Sequence, residues 1–150
     1  MYADQPWGDN LLFEMFNCAR LVRKHLETRL AAHYDGLTFG DAQALAAIAT
    51  EQPMQQGRVA ARLLINRPTA TETINRLERR GLVERRHEPA DLRMIYIDVT
   101  DKGTDVFNAI FEEISSMEVA LHANLTSAEQ KELRSSLVEM RKRLILNRND

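Results

Sequence analysis

Arginine is concentrated in one part of this sequence, and such a cluster is typical of surfaces that bind polyanions. Residues 58–93 contain nine arginines and five acidic residues, a net charge of +4. The whole chain carries −2, so the remaining residues carry −6. A guanidinium group forms two parallel hydrogen bonds with a phosphate or a base edge, which a lysine ammonium cannot do. The segment is therefore a candidate nucleic-acid-binding surface in an otherwise acidic chain.

The first group of candidate contacts lies on a predicted helix that Asn66 caps and Gly81 ends. At about 100° per residue, Ala70, Ile74 and Leu77 share one side and are expected to face the core. The candidate DNA contacts on this helix are Arg67, Pro68, Thr69, Thr71, Glu72, Asn75, Arg76 and Arg79. A helix with this polar face fits the major groove, about 12 Å wide, where side chains distinguish base pairs.

The second group lies on a predicted β-hairpin with strands at residues 82–87 and 94–99, joined by turn-forming residues. Its candidate DNA contacts are Arg85, Arg86, His87, Asp91 and Arg93. A β-wing with arginine at its tip suits the narrow, electronegative minor groove. We expect the Asp91 carboxylate to hold the Arg93 guanidinium by a charge-assisted hydrogen bond.

Five more helices must position these residues. Apolar spacing and capping residues predict helices at residues 8–34, 40–50, 56–64, 101–123 and from 127 to about 146, with capping boxes at Thr38–Asp41 and Thr126–Glu129. The predicted fold is mainly α with a small β-wing. Residues 38–100 form the winged helix-turn-helix part, and helices at 8–34 and 101–146 flank it.

The motifs of enzymes and cofactor sites are missing from the sequence. It contains no glycine-rich phosphate loop, no nucleophile elbow and no His-Glu-x-x-His motif, so we expect neither catalysis nor a cofactor. Its four histidines lack the spacing of a zinc site, so no metal is expected. The single cysteine, Cys18, is expected to pack as a small buried residue, and a redox-sensing thiol remains the alternative.

The hairpin carries the most specific sequence pattern. Asp91-x-Arg93 is followed by five residues, Val99-Thr100, two residues and Gly103. This pattern resembles the wing signature of the MarR family, with Val99 in place of the usual leucine. Residues 66–85 are similar to that family's recognition helix and its run into the wing. The resemblance extends over about residues 10–146.

The resemblance implies a homodimeric repressor of transcription. Residues 8–34 and 101–146 would be its dimerisation helices. Its two winged parts would bind a pseudo-palindromic operator in double-stranded DNA, and a small effector of the phenolic type would release it. The apolar stripes of the first, fifth and sixth helices independently support a dimer, because they exceed what the winged part can cover. Two alternatives stay open: redox sensing through Cys18, and a winged-helix module that binds another protein.

The sequence contains no apolar run of the roughly 18 residues that a membrane span requires. Its first ten residues lack the pattern of a secretory signal. We therefore expect a cytoplasmic protein with no membrane partner.

Overall fold

The structure, a computed structural model, describes residues 10–34 and 36–146. Its elements are α1 (Leu11–His33), α2 (Phe39–Glu51), β1 (Met54–Gln55), α3 (Gln56–Leu63), α4 (Arg67–Arg79), β2 (Val83–Glu88), β3 (Asp91–Val99), α5 (Asp101–Leu121) and α6 (Ser127–Leu146). The predicted mainly α fold with a small β-wing is confirmed. Residues 8 and 9 of the first predicted helix lie outside the described residues. The chain divides into two compact units, one ending at Phe111 and the next beginning at Glu112.

The core of the first unit lies where α2, α3 and α4 meet the sheet. Leu45, Ile48, Val59, Ile74 and Ile97 have no exposed surface. These residues include the apolar sides predicted for α2, α3 and α4. They hold α4 by one side only, which leaves its other side to solvent.

α2 is buried more extensively than its sequence pattern predicts. Ala44 and Ala47 lie in the core beside the predicted inner residues, because α2 packs against α1, α3, α4 and β3. A capping box begins the helix, as predicted. The Asp41 N–H donates to Thr38 Oγ1, and the Thr38 N–H donates to the Asp41 carboxylate, both at 3.1 Å.

α4 begins and ends as its sequence predicts. Asn66 Oδ1 accepts a hydrogen bond of 2.8 Å from the Thr69 N–H, and Pro68 lies in the first turn, where its missing N–H leaves no bond unmade. Gly81 follows the helix with φ +70°, a conformation that side chains with a Cβ disfavour.

The sheet has three antiparallel strands in the order β1-β3-β2, of which β1 was not predicted. β1 has only two residues, so no alternation of apolar and polar residues is visible in the sequence. Met54 pairs with Ile97 and is almost fully buried. β1 thus covers the edge of β3 and joins the hairpin to the start of α3.

The junction between β3 and α5 explains the spacing of the wing signature. Thr100 Oγ1 donates to the Gly81 carbonyl at 2.7 Å and accepts from the Gly103 N–H at 3.0 Å. A Cβ on Gly103 would lie 1.9 Å from the Leu82 carbonyl oxygen. Only glycine therefore fits here, where the first turn of α5 lies against the Leu82 backbone just before β2.

The second unit consists of the end of α5 and α6. A capping box begins α6: the Thr126 N–H donates to Glu129 at 2.7 Å, and the Glu129 N–H donates to Thr126 Oγ1 at 3.3 Å. These hydrogen bonds from the Thr126 backbone and side chain lower the pKa of Glu129. No residue of α6 is buried, although the predicted apolar stripe contains Leu133, Leu137 and Leu144.

Apolar side chains are exposed in both units when the single chain is considered. In the first unit Leu12 and Phe16 of α1 are 58% and 67% exposed, and in the second Leu137 is 44% exposed. Within the described chain, these apolar faces remain exposed to solvent.

None of the described helices is both long and apolar enough to cross a bilayer.

The prediction that Cys18 packs as a buried residue is wrong for this chain. Cys18 lies in the first half of α1 and is exposed. The only residues of α1 that are buried are Leu26 and Leu30, in its second half. The apolar spacing predicts the helix correctly, but it does not show which turns of the helix pack against the core.

We expect Gly103→Ala to lower the free energy of unfolding by about 3 kcal/mol, since the added methyl group meets backbone that cannot move aside. Denaturant unfolding measures this. Gly40→Ala is the matched control, because it also lies in the first turn of a helix and its nearest atom would be 3.8 Å away. Equal stability of the two variants would contradict this account of the junction.

Candidate nucleic-acid interface

The polar side of α4 is exposed over its first turn and a half. Arg67, Pro68, Thr69, Thr71 and Glu72 are all exposed, as the helical spacing predicts. They offer hydroxyl, carboxylate and guanidinium groups and no large aliphatic side chain. This face can present hydrogen-bonding groups to a partner, and its contact with DNA stays a prediction.

Arg76 and Asn75 do not share that full exposure. Asp41 Oδ1 accepts hydrogen bonds from Arg76 Nε at 3.0 Å and from Arg76 Nη2 at 2.8 Å. Arg76 Nη2 also donates to Thr73 Oγ1 at 3.2 Å. Asp41 is completely buried and Arg76 is 34% exposed. The guanidinium predicted to face a groove is thus bound to the start of α2.

Asp41 is ionised by virtue of these contacts. Burial alone would raise the pKa of Asp41, but hydrogen bonds from Arg76 and Thr38 outweigh it and hold the pKa below its ordinary value. The folded chain therefore favours the carboxylate. The resulting stability is present above the ordinary pKa of aspartate and is lost as the pH falls through the lower folded pKa.

Arg85 joins the hairpin to two helices. Its guanidinium donates to Gln56 Oε1 at 3.0 Å and to Asn75 Oδ1 at 2.7 Å, and it forms an ion pair with Glu78. The Arg85 side chain is only 20% exposed. β2, α3 and α4 are therefore connected through one residue that the sequence predicted as a DNA contact.

The remaining arginine pairs lie nearer solvent. Arg79 binds Glu72 at 3.3 Å on the outer face of α4. Arg86 binds Asp98 at 3.1 Å across the hairpin, and its guanidinium lies 5.9 Å from the centre of the Tyr96 ring. Exposed pairs of this kind are weak, so DNA can displace them at low free-energy cost.

The tip of the wing differs from its prediction in one contact. The Asp91 carboxylate accepts a hydrogen bond of 3.0 Å from the backbone N–H of Arg93, not from its guanidinium. A short aspartate side chain readily accepts a hydrogen bond from the backbone N–H two residues on, as in an Asx-turn. His87 Nδ1 donates to the Leu92 carbonyl at 3.0 Å, which further fixes the turn.

Arg67 and Arg93 line one cavity of about 320 Å³, to which Gln56, Gly57 and Thr71 also contribute. We call it the Arg67–Arg93 cavity. Among the described residues that line it, none is acidic. The cavity therefore combines two cations without a neighbouring carboxylate, a combination that favours an anion.

The nine arginines of residues 58–93 divide into two sets. The arginines that bind groups within the chain are Arg58, Arg62, Arg76, Arg79, Arg80, Arg85 and Arg86. Within the part of the chain that the structure describes, the guanidinium groups of Arg67 and Arg93 have no hydrogen bond or ion pair. These two are the cations left for a partner.

Sequence reasoning missed Asp41 and Gln56 as residues of this region. The capping box identified Asp41 locally, but its contact with Arg76 spans 35 residues of chain. Gln56 begins the predicted third helix, but nothing in the sequence marked it as a partner of Arg85 in β2. Both connect elements that only the folded chain brings together.

We expect Asp41→Asn to lower the free energy of unfolding at neutral pH by about 2 kcal/mol. This is less than the roughly 3–5 kcal/mol for breaking a fully buried pair, because Arg76 reaches solvent. The difference in free energy of unfolding between Asp41→Asn and the natural chain should stay constant above about pH 5. It should shrink below about pH 4, where the carboxylate of the natural chain becomes protonated. Urea unfolding across this pH range measures it.

Glu51→Gln is the control for that series, since Glu51 also lies on α2 and binds two arginines of α3, both more than half exposed. Its effect should be below about 1 kcal/mol. If the difference in free energy of unfolding between Asp41→Asn and the natural chain does not shrink in acid, Asp41 and Arg76 do not form an ionised pair.

Known proteins resemble this chain in sequence and in fold. A sequence profile described as the MarR family matches residues 35–94. The HTH-type transcriptional regulator MgrA of Staphylococcus aureus is 28% identical over 127 residues, 83% of each chain. The crystal structure of the transcriptional regulator SlyA has a TM-score of 0.82 at 25% identity, covering 90% of this chain and 94% of that one. The transcriptional regulator BldR from Sulfolobus solfataricus, at 23% identity, has a TM-score of 0.76 over 89% of this chain and 93% of its own, a likeness of fold.

Proposed function

Because this chain belongs to the MarR family of winged helix-turn-helix transcription regulators, we propose that it represses transcription as a homodimer bound to a pseudo-palindromic operator. The observation that carries the proposal is the exposed polar side of α4 beside the Arg67–Arg93 cavity, with two guanidinium groups that bind nothing in the described chain. The repressor role rests on the family resemblance alone. A protein that acts on a bacterial-type chromosome works in the cytoplasm.

In this proposal α4 enters the major groove and the wing follows the adjacent minor groove. The residues free to contact DNA directly are Arg67, Pro68, Thr69, Thr71 and Arg93. The other predicted contacts already bind groups within the chain: Glu72, Asn75, Arg76, Arg79, Arg85, Arg86, His87 and Asp91. We propose that the residues of this second set mainly hold the helices and the hairpin in position. They contact DNA only where DNA displaces an exposed ion pair.

The homodimer is supported by the apolar faces described above. α1 belongs to the first unit and α6 to the second, and each exposes large apolar side chains at helical spacing. Exposed stripes of this kind are covered in stable proteins by a partner, and a second copy is the simplest one. We therefore assign residues 8–34 and 101–146 to dimerisation and 38–100 to DNA binding.

A small effector has a candidate cavity in the first unit. A cavity of about 450 Å³ is lined by Tyr34, Leu37, Leu82 and Val106, with Arg79 and Lys102 also among its lining residues. Among the described residues that line it, none is acidic. An aromatic carboxylate suits this cavity, because its ring can pack against the apolar residues and its charge can pair with Arg79 or Lys102. Since Arg79 belongs to α4, a ligand here would contact that helix. Release of a labelled operator by a panel of aromatic carboxylates tests this part, and no release by any of them would contradict it.

Selection from random duplexes tests the function directly. A sequence-specific regulator enriches a sequence with two inverted half-sites, whose centres lie about 34–36 Å apart. Enrichment of no sequence at low salt would contradict the proposal and favour the protein-interaction alternative.

We expect Arg93→Ala to weaken binding to the selected operator at least about tenfold, while melting and dimer mass stay unchanged, because it removes one of the two arginines of residues 58–93 that have no guanidinium partner among the described residues. Fluorescence anisotropy at fixed salt measures the affinity. Arg62→Ala is the control: it removes an exposed arginine of the same segment that Glu51 already binds. If the two variants bind alike, the wing has no part in DNA binding.

We expect Leu137→Glu to convert the dimer to a monomer at micromolar concentration, since it places a charge in the apolar stripe of α6. Light scattering measures the mass, and circular dichroism checks that the helices remain. Ser135→Glu, on the opposite side of the same helix, should leave the dimer intact. A Leu137→Glu protein that stays dimeric would remove α6 from the interface.

A further inference from the structure

We propose that Asp41 is a specificity-determining positioning residue, which orients α4 through Arg76 and so sets how well the chain distinguishes its operator from other DNA. The inference rests on the proposed function, because it requires a preferred duplex sequence. Asp41 is completely buried in the folded chain, so it acts only through Arg76.

Asp41 connects two elements with both carboxylate oxygens. Oδ2 accepts the Thr38 N–H at 3.1 Å and thereby belongs to the cap of α2. Oδ1 accepts Arg76 Nε and Nη2 at 3.0 and 2.8 Å and thereby holds the second half of α4. A single buried carboxylate thus fixes one end of α2 and one point of α4 together.

The grip on Arg76 restrains rotation of α4 about its own axis. Thr73, one turn earlier on the same helix and 3% exposed, accepts a third hydrogen bond from this guanidinium and so fixes the Arg76 side chain relative to α4. Turning α4 would break the two bonds to Asp41 and leave a buried carboxylate without its cation, which is strongly unfavourable. The helix therefore has one favoured orientation relative to α2.

A second connection holds α4 from its other side. Asn75 and Glu78, which lie about half a turn around the helix from Thr73 and Arg76, both bind Arg85. Arg85 divides its contacts among three partners. Arg76 has one fully buried anionic partner, Asp41, and its other anionic neighbour, Glu72 at 3.9 Å, lies on the same helix. Asp41 is therefore the carboxylate that fixes this side of α4 to α2.

Orientation affects base contacts more than phosphate contacts. Hydrogen bonds to base edges require side chains to be placed within about 0.5 Å and 10–20°. Attraction between arginine and the phosphate backbone tolerates larger displacements and carries no sequence information. Loss of the Asp41 carboxylate should therefore reduce discrimination rather than general affinity for DNA.

The test compares Asp41→Asn with the natural chain on the selected operator and on a random duplex of equal length. Asparagine is nearly the same size and keeps an oxygen for the α2 cap. We expect operator affinity to fall at least about tenfold, with random-duplex affinity within about twofold and an unchanged salt dependence. Glu51→Gln, the control on the same helix, should alter neither affinity.

Two results would overturn the inference. The first is an operator affinity within about twofold of the natural chain. The second is an equal loss on both duplexes, which a merely structural role would produce by lowering the folded fraction. If the natural chain enriches no sequence from random duplexes, the proposed function itself is contradicted. Failure of the inference and failure of the proposed function are therefore distinguishable.

A double-mutant cycle tests whether Asp41 acts through Arg76. If it does, Arg76→Gln in the Asp41→Asn background should cause no further loss of discrimination. An additive loss would mean that Arg76 contacts the operator itself and would overturn the inference. If Asp41→Asn does not fold, Arg76→Lys takes its place, because it keeps the positive charge but gives up the two-point contact. Full discrimination by Arg76→Lys would equally overturn it.

Discussion

The structure of the first unit depends on one buried ion pair. Asp41 is inaccessible to water, so its charge must be compensated by hydrogen bonds within the chain. Arg76 and Thr38 provide them, and in doing so they hold α4 against α2. The first unit also contains the junction at Gly103, which leaves no room for a side chain against Leu82. The helix proposed to enter the groove is therefore held by contacts within the chain.

Most arginines of residues 58–93 bind groups within the chain and do not form a broad cationic surface. A net charge of +4 over residues 58–93 suggests a broad cationic surface. In the folded chain most of these guanidinium groups bind carboxylates or carbonyls of their own protein, and they act as connections between elements. Arg67 and Arg93 stand apart, since both line one cavity whose lining, among the described residues, includes no acid. A chain with net charge −2 can thus present a small cationic site.

The sequence predicted those features that depend on neighbours along the chain. The six helices, the capping boxes at Thr38 and Thr126 and the stop at Gly81 follow from local spacing and local hydrogen bonds. Strand β1 was missed because it exists only by pairing with β3. The contact of Arg76 with Asp41 was not predicted because 35 residues separate them, and Asp91 was assigned the wrong donor. The exposure of Cys18 could not be predicted, since apolar spacing does not show which turns of a helix are covered.

The division of the arginines into bound and free sets is the central claim, and nuclear magnetic resonance of the arginine Nε–H groups tests it most directly. The account predicts that the Nε–H signals of Arg76 and Arg85 exchange slowly with water and stay in place when operator DNA is added. Those of Arg67 and Arg93 should exchange fast and shift on addition. Fast exchange and DNA-dependent shifts for Arg76 and Arg85, with Arg67 and Arg93 unaffected, would contradict it.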